Sequence, residues 1–130
     1  MRYLPLSKKE EYIAKRLVNA AYIVHKALGP GLLENVYEIC FCHELKKAGL
    51  EIKRQVPVPI EYDGIKFGVS LRLDVFIEDL VICELKAAEL MHPIFEAQLL
   101  THLKLTKKRL GFLINFNVVR IKEGIKRMIL

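Results

Sequence analysis

Two short runs of branched apolar residues, Leu71 to Ile77 and Val81 to Lys86, are separated only by Glu78-Asp79-Leu80. Their length and composition predict two central strands of an antiparallel hairpin. A three-residue loop would pair Ile77 with Val81 and, counting back, set Asp74 opposite Glu84. Successive side chains on a strand point to opposite faces. One apolar face should therefore carry Leu73, Val75 and Ile77 with Val81, Cys83 and Leu85. Asp74, Glu84 and Lys86 should share the other, in the middle of a sheet.

Two facing carboxylates about 5 Å apart repel each other, and partial burial makes that costlier. A cation between them removes the conflict. A hard divalent ion takes oxygen ligands at about 2.0–2.4 Å, and Asp74, Glu84, the Leu85 carbonyl and waters would supply them. Lys86 adds a compact positive charge able to hold or deprotonate a water. The alternative is an ion cluster on a solvated sheet face, because acid-x-Lys spacings are common where 28% of residues are charged. The surrounding apolar density argues instead for a hairpin covered on both faces.

Around this hairpin the pattern predicts an α/β chain. Ile13, Leu17, Ala20, Ala21, Val24 and Leu28 recur at helical spacing from Glu10 to Leu28, with Ser7 as the cap and Gly29-Pro30-Gly31 as the stop. A second helix runs from about Leu33 to Lys47, with Glu34 in its first turn and Gly49 at its end. Glu51 to Tyr62 reads as an edge or bulged strand because of Pro57 and Pro59. Asp63-Gly64 then turns into Ile65-Lys66-Phe67. Pro93 starts a helix from Ile94 to about Leu105, and Leu110 to Phe116 is a further strand. Val118 to Ile121 and Ile125 to Ile129 read as a last strand pair, with helix as the alternative for the final segment.

The chain's 130 residues, 52% of them hydrophobic, fit one domain with a core that needs no disulfide. Cys40, Cys42 and Cys83 form no even framework, which favours a reducing compartment. No stretch approaches the ~20 apolar residues of a membrane span, and no apolar signal core is present at the start, so a cytoplasmic location is expected. Lys and Arg number 21 against 15 Asp and Glu, a net charge of +6 that suits a polyanion such as DNA or RNA and equally keeps a small domain soluble. His25, His43 and His92 lack a zinc-like spacing.

Gly31-Leu32-Leu33-Glu34-Asn35-Val36-Tyr37 forms a GxxExxY box. Leu73-Asp74, Glu84-Leu85-Lys86, Glu96-Ala97-Gln98-Leu99 and Gly111 to Phe116 follow in order. From about Val18 to Arg127 the chain resembles the GxxExxY protein family, a compact branch of the PD-(D/E)xK nuclease superfamily. The resemblance implies a restriction-endonuclease-like core, a mixed sheet flanked by helices. It also implies roles: Asp74 and Glu84 as metal ligands, Glu34 completing the metal shell, Lys86 as the catalytic lysine, and Gln98 as the helix glutamine that RecB-type nucleases place beside the site. Leu73 stands where the superfamily label has proline, which is not a ligand. His102 stands where RecB-type enzymes have tyrosine.

The expected function is therefore Mg²⁺- or Mn²⁺-dependent hydrolysis of nucleic-acid phosphodiesters, structure-selective or processing because one small domain has little surface for reading sequence. Gln98 and His102, four apart, share a helical face; His102 is a candidate phosphate contact, as is Lys104 in the basic cluster with Lys107-Lys108-Arg109. Tyr37 and Tyr62 could stack on a base or simply pack. A non-catalytic nucleic-acid-binding module and a protein-interaction subunit stay open as alternatives, as does a homodimer.

Overall fold

The computed structural model describes residues 4–130, the side chains of residues 69 and 70 excepted. Helix α1 (Lys8–Leu28) starts at Ser7, whose hydroxyl accepts from the Glu10 N–H at 3.1 Å while the Glu10 carboxylate accepts from the Ser7 N–H at 2.7 Å. This reciprocal cap satisfies two helix-end donors. The chain continues through α2 (Glu34–Lys47), β1 (Ile52–Tyr62), β2 (Ile65–Ile77), β3 (Val81–Lys86), α3 (Pro93–Thr106), β4 (Leu110–Asn115), α4 (Ile121–Gly124) and β5 (Ile125–Ile129). The five strands form one sheet in the order β1-β2-β3-β4-β5. Among the described residues only β3 and β4 pair in parallel, and α3 is the crossover that parallel neighbours require. The architecture is thus the expected α/β one.

Two apolar clusters sandwich the sheet. On one face, the buried stripes of α1 and α2 meet Val75, Ile77, Val81, Cys83 and Leu85 with Phe112, Ile114 and Phe116. On the other, Leu99 and Leu103 of α3 meet Ile82, Leu113 and Leu73. All six residues of β4 are buried, as a strand covered on both faces should be.

Three expectations need correction. Residues 65–67 and 71–77 belong to one strand, the thirteen-residue β2. Val118 to Ile121 is not a strand: β5 takes β4 as its partner along Leu110↔Ile129 to Ile114↔Ile125, and one turn of helix precedes it. A side chain at Gly124 would collide with the Asn115 carbonyl, so this return to the sheet needs a residue without Cβ.

The third correction concerns Leu73, which packs with the α3 layer while Val75 and Ile77 pack with the helix pair. Its partner strand makes the same switch, since Ile52 packs with the first layer and Val56 and Val58 with the second. Positions of one parity change sides only if the ribbon rotates between them. The rotation falls at Gln55, which has φ of 51°, and Asp74, the two residues missing from an otherwise continuous register between Arg54↔Val75 and Val56↔Leu73. From there outward β1 and β2 form a two-stranded arm, bulged around Pro59, that ends at Asp63-Gly64.

Candidate active site

The β2–β3 ladder follows the expected register through Ile77↔Val81, Phe76↔Ile82 and Val75↔Cys83, and stops there. Asp74 and Glu84, the next positions, stand where the strands part. In place of a ladder bond, the Leu85 N–H donates to Asp74 Oδ2 at 2.9 Å. A residue's N–H and C=O lie on the same strand edge, so the Leu85 carbonyl faces the same gap. The hairpin therefore gathers carboxyl and carbonyl oxygens where the ribbon rotation pulls β2 away.

Glu84 is buried, 7% exposed. Its carboxyl is pushed up to about 7, first by burial and then by the charge and hydrogen-bonding of Asp74, while His102 pulls the other way. His102 Nδ1 lies 2.9 Å from Glu84 Oε1. The histidine expected to reach for phosphate is thus attached to the second carboxylate. Thr106, one turn on, caps the His102 carbonyl at 2.7 Å.

Lys86 rests its ammonium 4.4 Å from the centroid of the Phe95 ring on α3, a cation–π contact that fixes a flexible side chain beside the carboxylates. Glu34, the first residue of α2, stands exposed at the rim. Its carboxyl is raised by partial burial and by Asp74 and lowered by Lys86, so it shares their electrostatic neighbourhood.

The spacing of the GxxExxY box has a local cause. Tyr37 is fully buried, stacked on Phe116 with ring centroids 4.8 Å apart. Its hydroxyl donates to the Gly29 carbonyl at 2.6 Å and accepts from the Leu32 N–H at 3.0 Å. The tyrosine thus ties the end of α1 to the start of α2, and Gly31 supplies the φ of 98° the turn demands. Glu34 sits on the first turn so fixed. Packing, not base stacking, is the role of Tyr37.

Two residues that sequence reasoning missed hold the site's backbone. Glu38, one turn after Glu34 and 4% exposed, accepts from Arg54 Nε at 2.9 Å and Gln55 Nε2 at 2.9 Å, and Arg54 Nη2 adds an ion-pair contact at 2.8 Å. It thereby clamps the residue at which β1 rotates. Asn115, 2% exposed, donates to the Ala88 carbonyl at 2.9 Å and accepts from the Ala88 and Asn117 N–H groups at 3.1 Å. That pins the chain two residues beyond Lys86. The signal available was an acid in the apolar stripe of a helix and an amide ending an apolar strand.

Gln98 and Lys104 lie exposed on α3. Gln98 joins His102 in lining a cleft beside the site, whereas Lys104 is not part of that lining. Among the described residues no three Asp, Glu, His or Cys side chains already converge into a metal cluster. The donor set nonetheless suits a hard divalent ion: the Asp74 and Glu84 carboxyls, the Leu85 carbonyl and Glu34 at the rim are all oxygen, and the excess negative charge is what burial here penalises.

A pH dependence follows from Glu84. Its folded value exceeds the ordinary 4.5, so the folded chain keeps a proton that the unfolded chain releases. This contribution is complete below pH 4.5 and disappears as pH rises through about 7. It is on the order of 3 kcal/mol. In EDTA, the melting temperature of the wild type should fall relative to that of Glu84→Gln between pH 5 and pH 8; parallel melting curves would contradict it.

Compared with known proteins, residues 11–128 match the family model described as the PD-(D/E)XK nuclease superfamily. Neither a search of the curated proteins nor one of the solved structures gives a match.

Proposed function

The chain belongs to the PD-(D/E)XK nuclease superfamily, and from that premise we propose that it hydrolyses nucleic-acid phosphodiester bonds with Mg²⁺ or Mn²⁺ at Asp74, Glu84 and Lys86. The observation that carries this reading is the parting of β2 from β3. It leaves two carboxyls and a strand carbonyl facing one gap, with a lysine two residues along the same strand. The GxxExxY box, with Glu34 and Tyr37 at its spacing, supports placement in the compact branch of that name.

In this mechanism Asp74 and Glu84, with the Leu85 carbonyl, would hold the ion, and Glu34 would hold it or one of its waters. The bound ion would supply Lewis-acid polarisation of the phosphoryl oxygens and a more acidic water. Lys86 positions the nucleophile and offsets charge on the pentacovalent phosphorus. Phe95 keeps the ammonium at that position, and Gln98 orients the strand along α3. Lys104 lies on the same helix for phosphate contact. Among the described residues no helix is long and apolar enough to cross a membrane; a single cytoplasmic domain acting on structured or processing intermediates is the setting we assign.

A second reading, a binding module without catalysis, draws on one observation: Glu84 already has a partner in His102, and Lys86 in Phe95. Labelled single-stranded, duplex and branched DNA and RNA, offered with Mg²⁺, Mn²⁺ or EDTA, separate the two. The nuclease reading expects products that EDTA abolishes and that Lys86→Ala lowers by about 10²-fold or more. Salt-sensitive binding with no products under any metal would favour the second.

A further inference from the structure

The β1–β2 arm, once rotated at Gln55 and Asp74, overhangs α3 and leaves a cleft of about 260 Å³ between them. Ile60 and Leu71 form its wall on the arm, and Ile94 and Leu105 its wall on the helix. Three polar residues, Gln98, Thr101 and His102, interrupt this apolar lining. His102 belongs to both cleft and site, because its Nδ1 is held by Glu84. A ligand in the cleft is therefore one side chain away from the carboxylates.

We infer that this cleft receives one unpaired nucleobase adjacent to the bond being cut, so that the substrate is single-stranded or locally melted nucleic acid. The inference rests on the nuclease reading above and names its substrate class. A phosphate at Asp74 and Glu84 has its neighbouring base within one nucleotide's reach. Flat and apolar on both faces, with donors and acceptors at its edge, a base matches aliphatic walls interrupted by an amide and an imidazole. Gln98 offers both a donor and an acceptor to that edge, while Thr101 spends its hydroxyl proton on the Ala97 carbonyl at 3.1 Å. A base stacked and paired inside a duplex presents neither free faces nor a free edge, so it enters only after leaving the helix.

The cleft walls are aliphatic, and this makes the test specific. A 2-aminopurine in an oligonucleotide is quenched by its stacked neighbours; moved between aliphatic walls it should brighten several-fold. Titration in EDTA of single strands carrying the probe at successive positions should give this rise at one position, and a matched duplex should give none. Ala97→Phe and Thr101→Tyr fill the cleft from exposed helix positions. Both should abolish the rise and lower single-strand cleavage about tenfold or more, with Mn²⁺ affinity and melting temperature as in the wild type. Two variants guard against a misfolded one. Equal cleavage of duplex and single strand, unchanged in both variants, would overturn the inference and leave the nuclease reading standing. No metal-dependent product from any substrate would remove the nuclease reading, and the inference with it.

Discussion

Asp74→Asn should cut metal-dependent hydrolysis by at least about 10²-fold while leaving a folded protein. Asparagine is the informative substitution because Asp74 has two jobs. Its Oδ2 takes the Leu85 N–H at the point where the ladder ends, and an amide oxygen can still accept that bond. Alanine would strip the acceptor from a strand residue that is fully buried and add about 1–3 kcal/mol of destabilisation to any loss of function. What asparagine removes is the negative charge. Mn²⁺ affinity, read by calorimetry, should collapse with activity. Removing that charge also relieves Glu84, whose carboxyl Asp74 helps to push up, so the Glu84-linked fall in stability should move to lower pH. Retained metal affinity in Asp74→Asn would mean that the ion, if bound, sits elsewhere.

Glu38→Ala should lower stability by about 2–3 kcal/mol, a fall of roughly 10 °C in melting temperature for a chain of this size. The carboxylate is nearly buried, accepts two hydrogen bonds from Arg54 and Gln55, and forms an ion pair with the Arg54 guanidinium. Arg54 is 37% exposed, so after the substitution it can turn to water, which keeps the loss below that of an abandoned buried charge. The effect should not be confined to melting. Gln55 has φ of 51°, a conformation few side chains adopt without support, and it stands at the register position facing Asp74. With the clamp gone, cleavage at a temperature where the variant is still folded should drop more than Mn²⁺ affinity does, and Glu38→Gln should restore part of it. Unchanged activity in folded Glu38→Ala would separate the clamp from the site.

How far the sequence carried these conclusions depended on the range of the interactions involved. The β2–β3 register was legible because a three-residue loop and strict alternation leave little freedom, and Ile77↔Val81 falls where counting puts it. The cap at Ser7 and the hairpin at Asp63-Gly64 were legible for the same local reason, while the reciprocal bond of Glu10 emerged from the structure. Alternation failed at Leu73, because the ribbon's rotation arises from Gln55 on another strand and from Glu38 on a helix. No window around Leu73 contains either. The last strand pair failed since Val118 to Ile121 looks like a strand by composition, yet β5 had already taken the open edge of β4. His102 and Glu84 are 18 residues apart, and that contact is created by the parallel crossover, so it could be found only in three dimensions.

The rotation in the β1–β2 ribbon divides the molecule by task. Inward of it, every strand is locked into the sheet and the positions of Asp74 and Glu84 are set by the core. Outward, the described residues of the arm pack in the layer that contains α3 and line a cleft with it. On the proposed nuclease reading, lengthening, shortening or replacing the tip at Asp63-Gly64 would therefore alter which substrates arrive without disturbing the carboxylates proposed to act on them. A chain built this way can acquire new targets by editing a hairpin while inheriting its chemistry intact.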